Sequence, residues 1–283
     1  MDESSHAPQP NGRIFDVQTS HHQHVQPLFP QVRISPEYMP NGRKSLSSIA
    51  ENAGSLGLAL GVSLLIALQL AYAEHYLWRI PFFISVLAVF HFLEFDMTAR
   101  YNPPDAKVSS FLLFNNGRAY NIAHTTAMLE VLLRHWLTSS GILTSTILPE
   151  TVTATVQRLP FSISVVLGIV LIGLGQAFRS LAMKQAGTSF NHIVQSSKKE
   201  DHVLVTSGVY RVSRHPAYFG FFWWALGTQL VLGNPICSVA YAAVMWKFFS
   251  HRITHEEKHL VSFFEQDYHQ YRKTTPVRIP FIA

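Results

Sequence analysis

Three stretches of this chain run for about twenty residues with at most two charged side chains each: Gly54 to Ala73, Ile80 to Met97 and Phe161 to Met183. Runs of ~20 apolar residues have the length that crosses the ~30 Å hydrocarbon layer of a bilayer. Lipid offers the backbone no hydrogen bonds, so such runs satisfy their own N–H and C=O groups as helices. Three more apolar runs are shorter or less pure. One spans about Ala119 to Leu137 and carries Asn121, His124, Glu130 and Arg134; the others span about Ala217 to Leu232 and Ile236 to Phe249. Only 14% of the 283 residues are charged, against about 25% in soluble domains. The pattern predicts an all-α, polytopic integral membrane protein. About six transmembrane helices are expected, with a cytosol-facing site in the C-terminal half, where the polar residues gather.

Three regions follow from the same pattern. Residues 1–50 are rich in Pro, Gln, His and Ser and cannot bury enough apolar surface to fold alone, so a disordered cytosolic tail is expected there. The tail opens acidic and reaches no apolar run before Asn52, so no signal peptide is expected. Residues 51–160 hold the N-terminal transmembrane helices, ending in a Ser/Thr-rich connection from Thr138 to Pro160. Residues 161–283 form the C-terminal core, which closes with a polar helix from about Thr254 to Arg272. Gly168, Gly173 and Gly175 suit close helix packing in lipid.

Charge sets the expected topology. The tail, the Arg100–Arg118 loop, the Lys184–Arg214 loop and the C-terminal region are basic, while the alternate loops hold only Arg79 and Arg158. Positive residues stay cytosolic, so both termini and the polar chemistry fall on that side. The net charge of +5 is spread over these loops and reads as membrane topology, not nucleic-acid binding. A single cysteine, Cys237, excludes an internal disulfide.

The most informative stretch is Gly208 to Gln229, GVYRVSRHPAYFGFFWWALGTQ. A basic loop with Arg211, Arg214 and His215 feeds through Pro216 into an aromatic membrane helix. Proline is tolerated there because the first helical N–H has no partner. Further on comes SHRITHEEKHLVSFFEQDYHQY, Ser250 to Tyr271. With SFNHIVQ (Ser189 to Gln195), HVLVTSGVY (His202 to Tyr210), GTQLVLGNPIC (Gly227 to Cys237) and RIPFI (Arg278 to Ile282), this ordered series resembles the isoprenylcysteine carboxyl methyltransferase family.

The resemblance implies S-adenosylmethionine-dependent methylation of the C-terminal prenylcysteine carboxylate of processed CaaX proteins, such as small GTPases and prenylated pheromone-like peptides. It also implies residence in the endoplasmic reticulum membrane. Carried over residue by residue, cofactor contacts fall on Gln195, His202, Val203, Leu204, Val205, Tyr210, His215, Pro216, Ala217, Tyr218 and Glu256. Substrate contact falls on Arg252. Glu257, about 100° round the helix from Glu256, is expected to matter much less. A carboxylate is already a nucleophile at neutral pH, so the reaction asks for positioning and for a cation, which Arg supplies bidentately. Arg252, where the sixth helix leaves the membrane, is the first candidate and Arg179 the second. His124 and Glu130 resemble polar positions of the family, and helix–helix hydrogen bonding explains them equally.

Other readings use the same residues. Integral-membrane sterol reductases and phospholipid N-methyltransferases share an Arg-His-Pro-type C-terminal region, but a reductase needs basic residues for the NADPH 2′-phosphate. His251, His255 and His259 recur every four residues, as metal ligands on a helix do. A di-iron oxygenase needs several such boxes, and the other histidines are scattered or lie in the tail, as His21, His22 and His24 do. No metal is expected. A transporter would show broken helices in two matching halves; here the polar residues gather in the C-terminal half.

Overall fold

The first membrane helix starts earlier than its apolar stretch, at Leu46, because Ser45 caps it: the Ser45 hydroxyl accepts from the Ser48 N–H at 3.3 Å. The structure, a computed structural model, describes residues 34–113, 116–142 and 163–282. Among the described residues every regular element is helical: α1 (Leu46–Tyr72), α2 (Arg79–Tyr101), α3 (Gly117–Ser139), α4 (Ile163–Ala186), the single turn α5 (Val209–Val212), α6 (Pro216–Leu232) and α7 (Pro235–Thr274), with 3-10 turns between them. All belong to one unit, Ser35–Ala283.

The expected disordered tail is corrected at its end. Residues 36–38 form a turn, residues 46–50 are helical, and the Arg43 carbonyl accepts from the Val108 N–H at 2.9 Å. Residues 1–33, with His21, His22 and His24, and most of the Thr138–Pro160 connection lie outside the described residues.

Among the described residues three segments are long and apolar enough to cross a membrane: Leu46–Tyr72, Tyr76–Tyr101 and Ile163–Ser189. The other three expected spans do not reach that standard. α3 is too polar, and α6 has 17 residues, about 26 Å of helix. α1 leaves Leu58, Leu65 and Leu68 largely exposed, as a helix whose solvent is lipid does.

Helix α4 packs along α6 at backbone distance. A methyl on Gly175 would strike the Gly220 carbonyl and one on Gly220 the Gly175 carbonyl; Gly168 and Gly227 stand in the same reciprocal relation seven residues away. Gly173 faces open space and takes no part. Arg79 does not act as a loop charge. It is 7% exposed and donates to the Val231 carbonyl at 2.8 Å, satisfying a carbonyl at the negative end of α6.

The α6–α7 hairpin turns on Gly233, at φ 72°, a left-handed conformation that favours glycine. Asn234 then ties the turn to the Ala127 carbonyl of α3 at 2.8 Å. Glu130 of α3 caps α7 by accepting from the Ile236 and Cys237 N–H groups at 3.0 and 2.7 Å. His124 meets the Tyr241 hydroxyl at 3.0 Å. Both polar residues of α3 thus fasten helices together.

Two helices expected at 236–249 and 254–272 are one. No break falls at Ser250–Ile253; the backbone departs from helix only at Glu265, φ 46°. The cluster of charge that reads as a membrane exit continues the same helix, so Arg252 and Glu256 sit one turn apart on one rigid rod.

Candidate active site

Three pieces of chain enclose a pocket: the segment after α4 from Ser189 to Val205, the entry to α6 from Arg214 to Tyr218, and one face of α7. The α7 face is read at helical spacing through Glu256, His259, Leu260, Phe263 and Phe264, then past the Glu265 break to Tyr268 and Tyr271. All eleven positions named for the cofactor line this pocket.

The entry to α6 is held from below by the C-terminal segment. The Ser213 hydroxyl donates to the Val277 carbonyl at 2.6 Å, the Arg214 N–H to the Pro276 carbonyl at 3.1 Å, and Arg214 Nη1 to the Thr275 carbonyl at 2.9 Å. Thr275 to Val277, the residues just before the RIPFI stretch, thus brace the Arg-His-Pro turn. Glu257 completes the brace. It is 5% exposed, accepts from Arg214 Nε at 2.5 Å, and lies 3.1 Å from His215 Nε2. Burial alone would raise its carboxyl, but the hydrogen bonds from His215 and Arg214 and the charge on Arg214 hold it at about 2. Its part is structural. It contributes nothing to the pocket lining, yet it fixes the residues that do.

Glu256 turns the other way. Its Oε2 accepts from the Tyr218 hydroxyl at 2.6 Å, and that hydroxyl accepts in turn from Arg252 Nε at 2.8 Å. The Tyr218 ring stacks between His215 and Phe249. Arg252 is not among the residues lining the pocket. It stands beside it, stacked against the Tyr218 and Phe248 rings, with Nη2 donating to the His192 carbonyl at 2.5 Å.

Arg179, the second candidate for a carboxylate clamp, is already engaged. Its Nε and Nη2 donate to the two oxygens of Glu94 at 2.5 and 2.7 Å. Arg179 is 8% exposed and Glu94 is fully buried, so this arginine holds the bundle together and presents no free fork. Among the described residues no cluster of His, Cys, Asp and Glu suits a metal; His255 and His259 meet edge-on with ring centroids 4.9 Å apart.

The remaining positions build the outer wall. Val203 donates its N–H to the Ser189 hydroxyl at 3.0 Å, Gln195 Nε2 bonds the Ile193 carbonyl at 2.9 Å, and Tyr210 donates to the Ala182 carbonyl at 3.3 Å. Burial raises the Tyr210 phenol, so it stays a donor. His202 lies edge-on to Phe263 and Phe264; burial, then Lys198, lowers its imidazole.

The donor set fits a ligand with a cationic centre, a carboxylate and an aromatic base. The pocket offers a carboxylate (Glu256), the backbone at Val203–Val205, and aromatic surface at Phe263 and Phe264. On its wall, Arg214 Nη2 is buried with no hydrogen-bond partner, an atom that calls for an acceptor.

Sequence reasoning missed Glu94, His192 and the role of Glu257. Glu94 gave a usable signal: a carboxylate inside an apolar span is costly unless paired.

The family model described as the isoprenylcysteine carboxyl methyltransferase (ICMT) family matches residues 166–262. The chain is 43% identical over 246 residues to protein-S-isoprenylcysteine O-methyltransferase of Saccharomyces cerevisiae, covering 87% of this chain and 96% of that one. To the protein of the same name from Homo sapiens it is 37% identical over 236 residues, covering 83% and 75%. A solved structure of the eukaryotic intramembrane Ras methyltransferase ICMT superposes with a TM-score of 0.71 at 34% identity, covering 83% of this chain and 77% of that one.

Proposed function

The chain belongs to the isoprenylcysteine carboxyl methyltransferase family, an enzyme family acting on prenylcysteine, and on that premise we propose how its own residues carry the reaction. The donor is S-adenosylmethionine, which supplies a methyl group on a positively charged sulfur. Glu256, the Val203–Val205 backbone, Arg214 and the surrounding rings hold it. The acceptor is the C-terminal carboxylate of a prenylated CaaX protein, a small GTPase or a pheromone-like peptide, whose prenyl chain stays in lipid. Arg252 holds that carboxylate.

No proton has to move. The carboxylate is ionised at neutral pH, so the protein's task is to strip its water and aim one oxygen. Orientation of this kind is worth ~7–11 kcal/mol of barrier. The observation that carries the reading is the hydrogen-bonded chain Arg252–Tyr218–Glu256, which couples the carboxylate's cation to the donor's anion through one hydroxyl. The basic loops support a cytosolic site with both termini on that side and about six crossings; residence in the endoplasmic reticulum membrane rests on the family alone.

The test is methyl transfer to a small prenylcysteine bearing a free carboxylate, using membranes that contain the chain. A base-labile methyl ester is the expected product. Absence of that ester, with NADPH binding in place of S-adenosylhomocysteine, would turn the reading toward a reductase.

A further inference from the structure

Glu94 is costly to bury: a carboxylate at 0% exposure near the end of an apolar helix. Its partners lie on other elements. One oxygen takes Arg179 Nε, and the other takes Arg179 Nη2 and, at 2.9 Å, His192 Nε2. The two residues before His192 are tied to the chain just after α2. Asn102 donates to the Phe190 carbonyl at 3.0 Å and Asn191 donates to Asp105 at 3.1 Å. Three consecutive residues are therefore pinned against α2 and its exit, and the last of them offers its carbonyl to Arg252 Nη2.

This accounts for how Arg252 is aimed. Tyr218 takes Nε and the His192 carbonyl takes Nη2, so the side edge of the guanidinium is filled. The end edge remains, with Nη1 and the second hydrogen of Nη2. A carboxylate taken bidentately meets that edge in one plane.

We propose that Glu94 and His192 are positioning residues for methyl transfer: Glu94 fixes the His192 side chain, and the His192 carbonyl sets the plane of the Arg252 guanidinium. The inference rests on the reading of Arg252 as the carboxylate's cation. It gives the N-terminal helices a part in catalysis, since α2 and its exit hold the segment that ends at His192.

Glu94→Gln leaves Arg179 buried beside a neutral group and risks misfolding, so the decisive variants are at His192. His192→Ala removes the pin and keeps the carbonyl. His192→Gln keeps a donor that can reach Glu94. Turnover of the prenylcysteine is measured per S-adenosylhomocysteine-binding site, which removes any loss of folded protein from the comparison. His192→Ala should lower kcat per site on the order of tenfold, the scale of a sub-ångström misplacement, with S-adenosylhomocysteine affinity within about twofold; His192→Gln should recover most of it. In an Arg252→Lys background His192→Ala should add nothing, because both changes act through one contact. Full turnover per site in His192→Ala, no recovery in His192→Gln, or additive losses would each overturn the inference while leaving Arg252 as the cation. Near-normal turnover in Arg252→Lys alone would remove the reading on which it rests.

Discussion

Glu256 and Glu257 are neighbours in sequence and face opposite partners: Glu256 shares a hydrogen bond with Tyr218 at the pocket, and Glu257 is sealed against Arg214 and His215 behind it. Their alanine variants should therefore fail differently. Glu256→Ala removes a charged acceptor, worth ~1.5–3 kcal/mol, and should weaken S-adenosylhomocysteine binding by about one to two decades in a folded protein. Glu257→Ala strands a buried arginine, a loss of about 3–5 kcal/mol, and should lower the thermal midpoint steeply. Calorimetric affinity and thermal midpoint, measured on both variants, separate the two; a stable Glu257→Ala with normal activity would remove its structural role.

Acid should reveal the same carboxylate. Glu257 titrates at about 2 in the fold, well below the ordinary range of a glutamate. Its ionised form thus favours the folded state. That contribution is complete above pH ~4.5 and is lost as pH falls toward ~2. The thermal-midpoint difference between the parent and Glu257→Gln should be largest above pH ~5 and shrink through this window. A difference that stays constant down to pH ~2.5 would contradict the assignment.

Tyr218 joins Arg252 to Glu256 through a single oxygen. Tyr218→Phe keeps the ring that stacks on His215 and Phe249 and removes only that link. Losing hydrogen bonds to charged groups at ~1.5–3 kcal/mol each predicts kcat/KM lower by at least about tenfold with little change in stability. Unchanged kcat/KM would mean that Arg252 and Glu256 act independently.

The reciprocal glycine contacts define the seam between α4 and α6. Gly175→Ala places a methyl on the Gly220 carbonyl, whereas Gly173→Ala meets open space. Overpacking of this kind costs about 1–3 kcal/mol, so the Gly175 variant should lose thermal stability and the Gly173 variant should not. Equal behaviour of the two would place the seam elsewhere.

What was legible in the sequence was whatever depends on local pattern. The long apolar runs marked α1, α2 and α4, and the Arg-His-Pro turn marked the start of α6. Partnerships across the bundle left no such pattern. Arg179 reads equally as a snorkelling residue, a clamp or a buried ion pair, and only the approach of Glu94 from α2 decides. The stretch Ser250–Ile253 reads as an interfacial break because it is charged, yet a helix leaving lipid has no reason to stop when its side chains can reach water. Ser45 leaves no mark in the apolar pattern because a cap lies outside the hydrophobic period it begins.

The central claim is that Arg252 recognises a carboxylate by its planar fork and is not merely a positive anchor at the membrane surface. Arg252→Lys keeps the charge and discards the fork. The measurement is kcat/KM for a prenylcysteine substrate, with S-adenosylhomocysteine affinity determined on the same preparation. The account predicts a loss on the order of a hundredfold, the scale set by ~1 Å of misplacement, with affinity for S-adenosylhomocysteine preserved. Near-normal turnover in the lysine variant would contradict it.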